Sequence, residues 1–172
     1  MTRGNNVYGP RQYPEKLIPK FLHLAMAGKN FTIHGTGTQR RSFIHVDDVA
    51  NAFVTVIHHG AVGETYDIAT RNEQSILSVT RDICEVFGLD PEKHISHVEN
   101  RAFCDDRFWM SSEKLEALGW KEETSWKDGL KATAEWYREN LDHWSGLDRA
   151  LSAHPGRELA ANQPLLIREE RE

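Results

Sequence analysis

The residues best equipped for chemistry stand at the start of the chain, in Thr2-Arg3-Gly4-Asn5-Asn6-Val7-Tyr8-Gly9-Pro10 and Pro14-Glu15-Lys16-Leu17-Ile18-Pro19. Asn5 and Asn6 carry amides that both donate and accept hydrogen bonds. Gly9 opens backbone angles closed to other residues and Pro10 fixes the next one, which makes a turn. Pro14 and Pro19 bracket a helix start, whose first N–H groups have no partner within the helix and suit an anion, a phosphate above all. A structural loop followed by a capped helix fits the same residues. On other segments, Arg41 and Arg101 offer planar forks matched to phosphate oxygens, although each taken alone is more simply a surface or ion-pair residue. Together with Asn6 and Lys16 they make four phosphate- or amide-competent positions on separate segments, the outline of a pocket for a diphosphate.

Other polar groups are better explained by structure. Gly35-x-Gly37 lacks the third glycine of a dinucleotide loop, since Arg40 stands there, and it leads into a strand; a tight turn is expected. Asp47 and Asp48 point apart on a helix and suit its first turn, where the dipole favours negative charge. His58-His59 falls at a helix C-terminus with no carboxylate or cysteine at ligand spacing, so a surface role is expected and no metal ligand is assigned. Cys104 lies beside Asp105 and Asp106, which raise a thiol pKa, and is not a nucleophile on that ground.

The elements that must position these groups follow from periodicity. Ile18, Phe21, Leu22 and Ala25 repeat at helical spacing and Gly28 closes the run. Phe31 to His34 alternates as a strand, Gly35 to Thr38 turns, and Gln39 to His45 is extended again. A second helix begins near Val46, with Val49, Phe53, Val56 and Ile57 expected inward and Gly60 at its end. Glu64 to Ala69 is β-type. Ser75 caps a helix with Ile76, Val79, Ile83 and Val86 on its stripe and Gly88 at its end. His94 to Val98 reads as one more strand, and 99–108 is polar and irregular. Ser112 to Leu118 is a short helix stopped by Gly119. Ser125 to Asp128 has capping-box spacing and opens the longest helix, lined by Trp126, Leu130, Ala134, Tyr137 and Leu141. The expected organisation is a folded portion over 1–144 and a mostly disordered tail over 145–172.

Composition narrows the class. The 172 residues suit one domain, and 39% hydrophobic with 27% charged residues is ordinary for a globular protein. A net charge of −5 with no lysine-arginine block argues against nucleic acid as partner. No apolar run reaches the roughly 20 residues of a membrane span. Two cysteines, Cys84 and Cys104, suit a reducing compartment, with the cytoplasm as the expected location.

The combination resembles a known family. Arg3 to Pro10, Pro14 to Pro19, Ile33-His34-Gly35-Thr36-Gly37 and Arg41-Ser42-Phe43-Ile44-His45-Val46-Asp47-Asp48-Val49 are similar to the nucleotide-sugar 4,6-dehydratases, the dTDP-glucose enzymes and the UDP-glucose enzymes of rhamnose synthesis. Gly63 to Ile68, Asn100-Arg101, Leu118-Gly119-Trp120, Trp126 to Leu130 and Trp136 to Asn140 continue the resemblance in order. It implies an α/β chain forming the C-terminal substrate-binding portion of an extended short-chain dehydrogenase fold, with the N-terminal Rossmann half missing. In such enzymes NAD oxidises the sugar at C4, water leaves across C5 and C6, and the hydride returns to C6.

Carried over by motif, Asn6 contacts the substrate, Val7 lies beside the nicotinamide end of NAD, and Lys16 and Leu17 sit at the nucleotide. Thr32, Ile33 and His34 flank the base, and Arg41 and Arg101 bind the diphosphate. Asp67 falls in the same site by motif, where the family usually has asparagine; an anion there repels a diphosphate unless an arginine compensates. The family's catalytic Tyr-x-x-x-Lys does not occur, because the fourth residues after Tyr8, Tyr13, Tyr66 and Tyr137 are Gln12, Leu17, Thr70 and Leu141. A Gly-x-x-Gly-x-x-Gly loop is missing as well. The expectation is therefore a nucleotide-sugar-binding portion with no catalytic residue of its own, inactive as a fragment, with NAD held mostly by the missing half. Alternatives are a non-catalytic module that binds nucleotide sugars or pairs with a second copy or a full-length relative, and a fragment of an epimerase or decarboxylase. Exposed apolar surface is expected to make the chain dimerise or dissolve poorly.

Overall fold

The computed structural model describes residues 1–99 and 110–151. The opening segment forms two short strands, β1 (Thr2–Gly4) and β2 (Asn6–Tyr8), before α1 (Leu17–Met26). Next come β3 (Phe31–His34), β4 (Arg40–His45), α2 (Val46–His59), β5 (Tyr66–Ile68), β6 (Glu73–Ser75) and α3 (Ile76–Phe87). A single turn α4 (Pro91–His94) leads into β7 (Ile95–Val98). Beyond residue 109 stand α5 (Glu113–Glu116), α6 (Trp126–Glu139), a 3₁₀ turn Leu141–His143 and α7 (Asp148–Leu151). The helix α7 falls inside the segment expected to be irregular from 145 onward, and residues 152–172 lie outside the described ones.

The strands make three small sheets among the described residues. Parallel β1 and β5 pair with Arg3 opposite Asp67, and parallel β3 and β7 pair with Ile33 opposite His97. In the third sheet, β4 lies parallel to β2 and antiparallel to β6, with Asn6 opposite Phe43 and Arg41 opposite Gln74. Asn5, between β1 and β2, is tied to the end of β5: its N–H donates to the Ile68 carbonyl and its Oδ1 accepts from the Thr70 N–H at 2.9 Å. The polar strand β6 carries no apolar alternation, so only its pairing with β4 reveals it.

The larger of two buried clusters packs α1, α3 and α6 through Ile18, Phe21, Leu22, Phe31, Val79, Ile83, Leu130 and Tyr137, and the smaller gathers Ile44, Ala52, Ile68, Leu115 and Trp120. The expected caps hold. Ser75 Oγ accepts from the Ser78 N–H, Ser125 Oγ from the Asp128 N–H, and Gly88 ends α3 in the left-handed region at φ 65°.

Helix α2 departs from its expected stripe. Phe53 and Ile57 are 45% and 77% exposed, while Asp48 and Ala52 are buried and Val49 and Val56 are half-buried. The reason is a polar clasp. Asp48 Oδ1 and Oδ2 accept from the N–H groups of Glu123 and Thr124 at 2.9 and 3.1 Å, and its carbonyl accepts from Trp120 Nε1 at 3.0 Å. Two N–H groups from one strap turn the carboxylate inward, a third donor holds the backbone carbonyl, and the apolar residues sit away from the side that periodicity favours. The cap of α2 is then His45, whose Nδ1 accepts from the Asp47 N–H.

Candidate functional site

A cavity of about 610 Å³ opens where β2, the start of α1, β3, β4 and the start of α3 converge. Each wall follows from local sequence. Strand β2 delivers Asn6 and Val7, and Asn6 Nδ2 donates to the Ser42 carbonyl at 3.4 Å. The chain then turns at Gly9, where φ is 149° and an added Cβ would come within 2.5 Å of Val46 Cγ1. Helix α1 starts at Leu17 with an extended Lys16 before it, no side-chain cap and no acidic residue in its first turn. Leu17 and Ile18, the first two residues of the helix, line the cavity, and Pro19 after them has no N–H to offer.

The electrostatics favour an anion. Lys16 and Lys20 from the α1 end and Arg41 from β4 line the cavity, against one carboxylate, Glu15, which pairs with Lys16 at 3.2 Å. Arg41 Nη1 donates to the Arg40 carbonyl at 2.7 Å, which sets the plane of its guanidinium. On the far wall, Thr32, Ile33 and His34 present strand β3, and His34 Nδ1 donates to the Glu99 carbonyl at 3.3 Å. Phe21, Phe43 and Ile76 supply apolar surface. Such a cavity can hold a flat ring against β3 and a polyanion against α1 and Arg41.

Eight of the ten sequence-derived positions meet here: Asn6, Val7, Lys16, Leu17, Thr32, Ile33, His34 and Arg41. Asp67 does not. Its carboxylate is gripped by the Arg3 guanidinium at 2.7 and 2.9 Å across the β1–β5 pair and is no part of the cavity wall. That is the compensating arginine, and it keeps the extra charge away from Lys16 and Arg41. Arg101 lies outside the described residues. Sequence reasoning missed Gln12, Glu15, Lys20 and Gln39. Glu15 and Lys20 flank the α1 start and were accessible to the same capping argument; Gln12 and Gln39 had no signal in spacing.

The Gly35–Gly37 turn is structural. Gly37 has φ 73°, and an added Cβ would lie 2.7 Å from Ile33 Cγ2 and 3.3 Å from Leu77 Cβ. It leads into β4, so no helix N-terminus follows to hold a pyrophosphate, and the described residues supply no dinucleotide cradle. Among them there is also no group of three potential metal ligands. Burial pushes the Tyr8 and Tyr137 hydroxyls above the usual phenol range, and neither lines the cavity.

The sequence profile of the NAD dependent epimerase/dehydratase family matches residues 1–69. An Arabidopsis thaliana trifunctional UDP-glucose 4,6-dehydratase/UDP-4-keto-6-deoxy-D-glucose 3,5-epimerase/UDP-4-keto-L-rhamnose-reductase is 51% identical over 154 residues, covering 90% of this chain and 23% of that protein. The dTDP-D-glucose 4,6-dehydratase of Bos taurus is 42% identical over 160 residues, covering 90% of this chain and 45% of that one. The chain is related to the nucleotide-sugar 4,6-dehydratases. A dTDP-glucose 4,6-dehydratase from Bacillus anthracis, solved in complex with NAD, superimposes with a TM-score of 0.79 at 36% identity, over 86% of this chain and 46% of that one. This relative of the dehydratases thus spans less than half the length of the proteins it matches, with an α/β fold that reproduces part of theirs.

Proposed function

We propose that the chain is the nucleotide-sugar-binding portion of an NAD-dependent 4,6-dehydratase, taking UDP-glucose or dTDP-glucose. The observation that carries this reading is the cavity itself. Segments separated by up to 35 residues bring Asn6, Lys16, Lys20, His34 and Arg41 to one 610 Å³ space beside an uncapped helix start. In this reading the diphosphate lies between Arg41 and the first turn of α1, the base lies along Thr32 to His34, and the hexose reaches Asn6 and Val7. NAD would meet the chain only at Val7; hydride transfer and the proton abstraction that accompanies it need groups beyond those described here.

The chain acts on this reading as one binding portion over 1–144 followed by a tail, in the cytoplasm, and it pairs with a second copy or a full-length relative. Titration calorimetry with UDP-glucose and dTDP-glucose tests the central assignment. Saturable binding of at least one, with a Kd of about 10 μM to 1 mM, is expected; no heat with either overturns it. The purified chain alone is expected to form no 4-keto-6-deoxy sugar from either ligand, even with NAD added.

A further inference from the structure

The wall of the cavity between Val7 and Lys16 is a loop, and it is tied to a helix that contributes nothing to the lining. Tyr137, fully buried on α6, donates its hydroxyl hydrogen to the backbone carbonyl of Gln12, a bond that joins residues 125 apart in sequence. The Gln12 side chain in turn donates from Nε2 to the Val7 carbonyl at 2.7 Å. A third tie closes the loop, from the Lys16 N–H to the Tyr13 carbonyl at 3.2 Å. Just before Gln12, Arg11 has φ 66°, a left-handed conformation that a residue with a Cβ keeps only where its surroundings impose it. The Tyr137 ring has little freedom to swing, being set edge-on against His23 at 5.2 Å and Trp136 at 5.0 Å.

We propose that Tyr137 is a positioning residue for the cavity, holding Gln12 so that its amide faces the sugar end and recognises a hexose hydroxyl beside Asn6 and Val7. This rests on the nucleotide-sugar reading above. Chemistry supports the role. The Gln12 amide spends one hydrogen on Val7, which leaves its oxygen and its second hydrogen for a ligand hydroxyl. With both its carbonyl and its side chain committed, Gln12 presents that amide in one orientation, and pre-set polar groups of this kind give a pocket its specificity. A phosphate gains nothing from the amide oxygen, so the residue distinguishes the sugar from the nucleotide.

The test uses the full 172-residue chain with Tyr137→Phe and Gln12→Ala. Tyr137→Phe is expected to speed amide hydrogen exchange across residues 7–13 about fivefold while β3 and β7 keep their protection, the loss of one hydrogen bond. It should also weaken UDP-glucose or dTDP-glucose binding about fivefold, with the matching nucleoside diphosphate changed less than twofold. Gln12→Ala, which leaves the core intact, should show the same split between sugar nucleotide and nucleotide, and it decides the matter if Tyr137→Phe does not fold. Unchanged exchange in residues 7–13, or equal loss for nucleotide and sugar nucleotide, overturns the proposal. A wild-type chain that binds no nucleotide sugar removes the parent reading and the sugar contact together, while the exchange result still decides whether Tyr137 holds the loop.

Discussion

Single residues here do different work from what their charges advertise. Arg41 lines the cavity from a half-buried position on β4, so in the nucleotide-sugar reading its replacement removes a phosphate contact and little packing. Arg41→Ala is expected to weaken nucleotide-sugar binding about tenfold while changing stability by less than about 0.5 kcal/mol, read by calorimetry and thermal melting. Glu122 makes the opposite point. Burial pushes its carboxyl above the usual range, the bond from Thr70 Oγ1 at 2.8 Å pulls it back, and the nearby Asp48 carboxylate raises it again. A carboxyl raised by folding stabilises the fold when protonated, so its contribution is full below about pH 4.3 and is lost as pH rises through the folded value. Glu122→Gln keeps the Thr70 bond without the charge. Its Tm should exceed that of the wild type at pH 7, and the difference should vanish near pH 4; equal melting at both values would refute the assignment.

Among the elements, α6 shows how packing overrides propensity. An alanine at position 129 would normally favour a helix over glycine by about 1 kcal/mol. At this place its Cβ would lie 2.3 Å from the Tyr8 hydroxyl and 3.1 Å from His45 Cδ2. Tyr8 cannot yield easily, because Trp126 and His45 hold its ring at 5.1 and 5.3 Å. Overpacking of about 1–3 kcal/mol therefore outweighs propensity, and Gly129→Ala is expected to lower Tm by several degrees. A higher Tm would show that β2 and α6 can separate at no cost. Helix α2 teaches a related lesson: Val49, Phe53, Val56 and Ile57 repeat correctly for an amphipathic helix, yet the strap over 120–124 claims the Asp48 side instead.

For the whole molecule, the consequence is exposed apolar surface. Phe53, Val54 and Ile57 stand out on α2, and Val62 is fully exposed just beyond it. A patch of this kind favours association over solution as a monomer. Sedimentation of the chain is expected to show a dimer or larger species at about 50 μM, and Phe53→Lys with Ile57→Lys should shift it toward monomer while the melting curve is kept. A clean wild-type monomer at that concentration would count against the surface acting this way.

Part of the cavity wall was legible without coordinates, because its chemistry is local. The amide of Asn6, the α1 start at Lys16 and the arginine of β4 are each set within a few residues, whereas Val7, Leu17 and Thr32 to His34 came from the family resemblance; the fold gathers these eight positions around one cavity. Glycines and caps were legible for the same reason: Ser75, Ser125 and Gly88 act on neighbours three or four residues away. What the tertiary structure alone decided is whatever needs a partner distant in sequence. Asp67 leaves the site because β1 sets Arg3 opposite it, and Asp48 turns inward because a strap about 75 residues later offers its N–H groups. Gln12 joins the cavity wall in a loop held by a tyrosine 125 residues away. Periodicity and capping express the energetics of one turn or one strand, whereas these three placements depend on which segments meet, and that is set by the packing of the whole core.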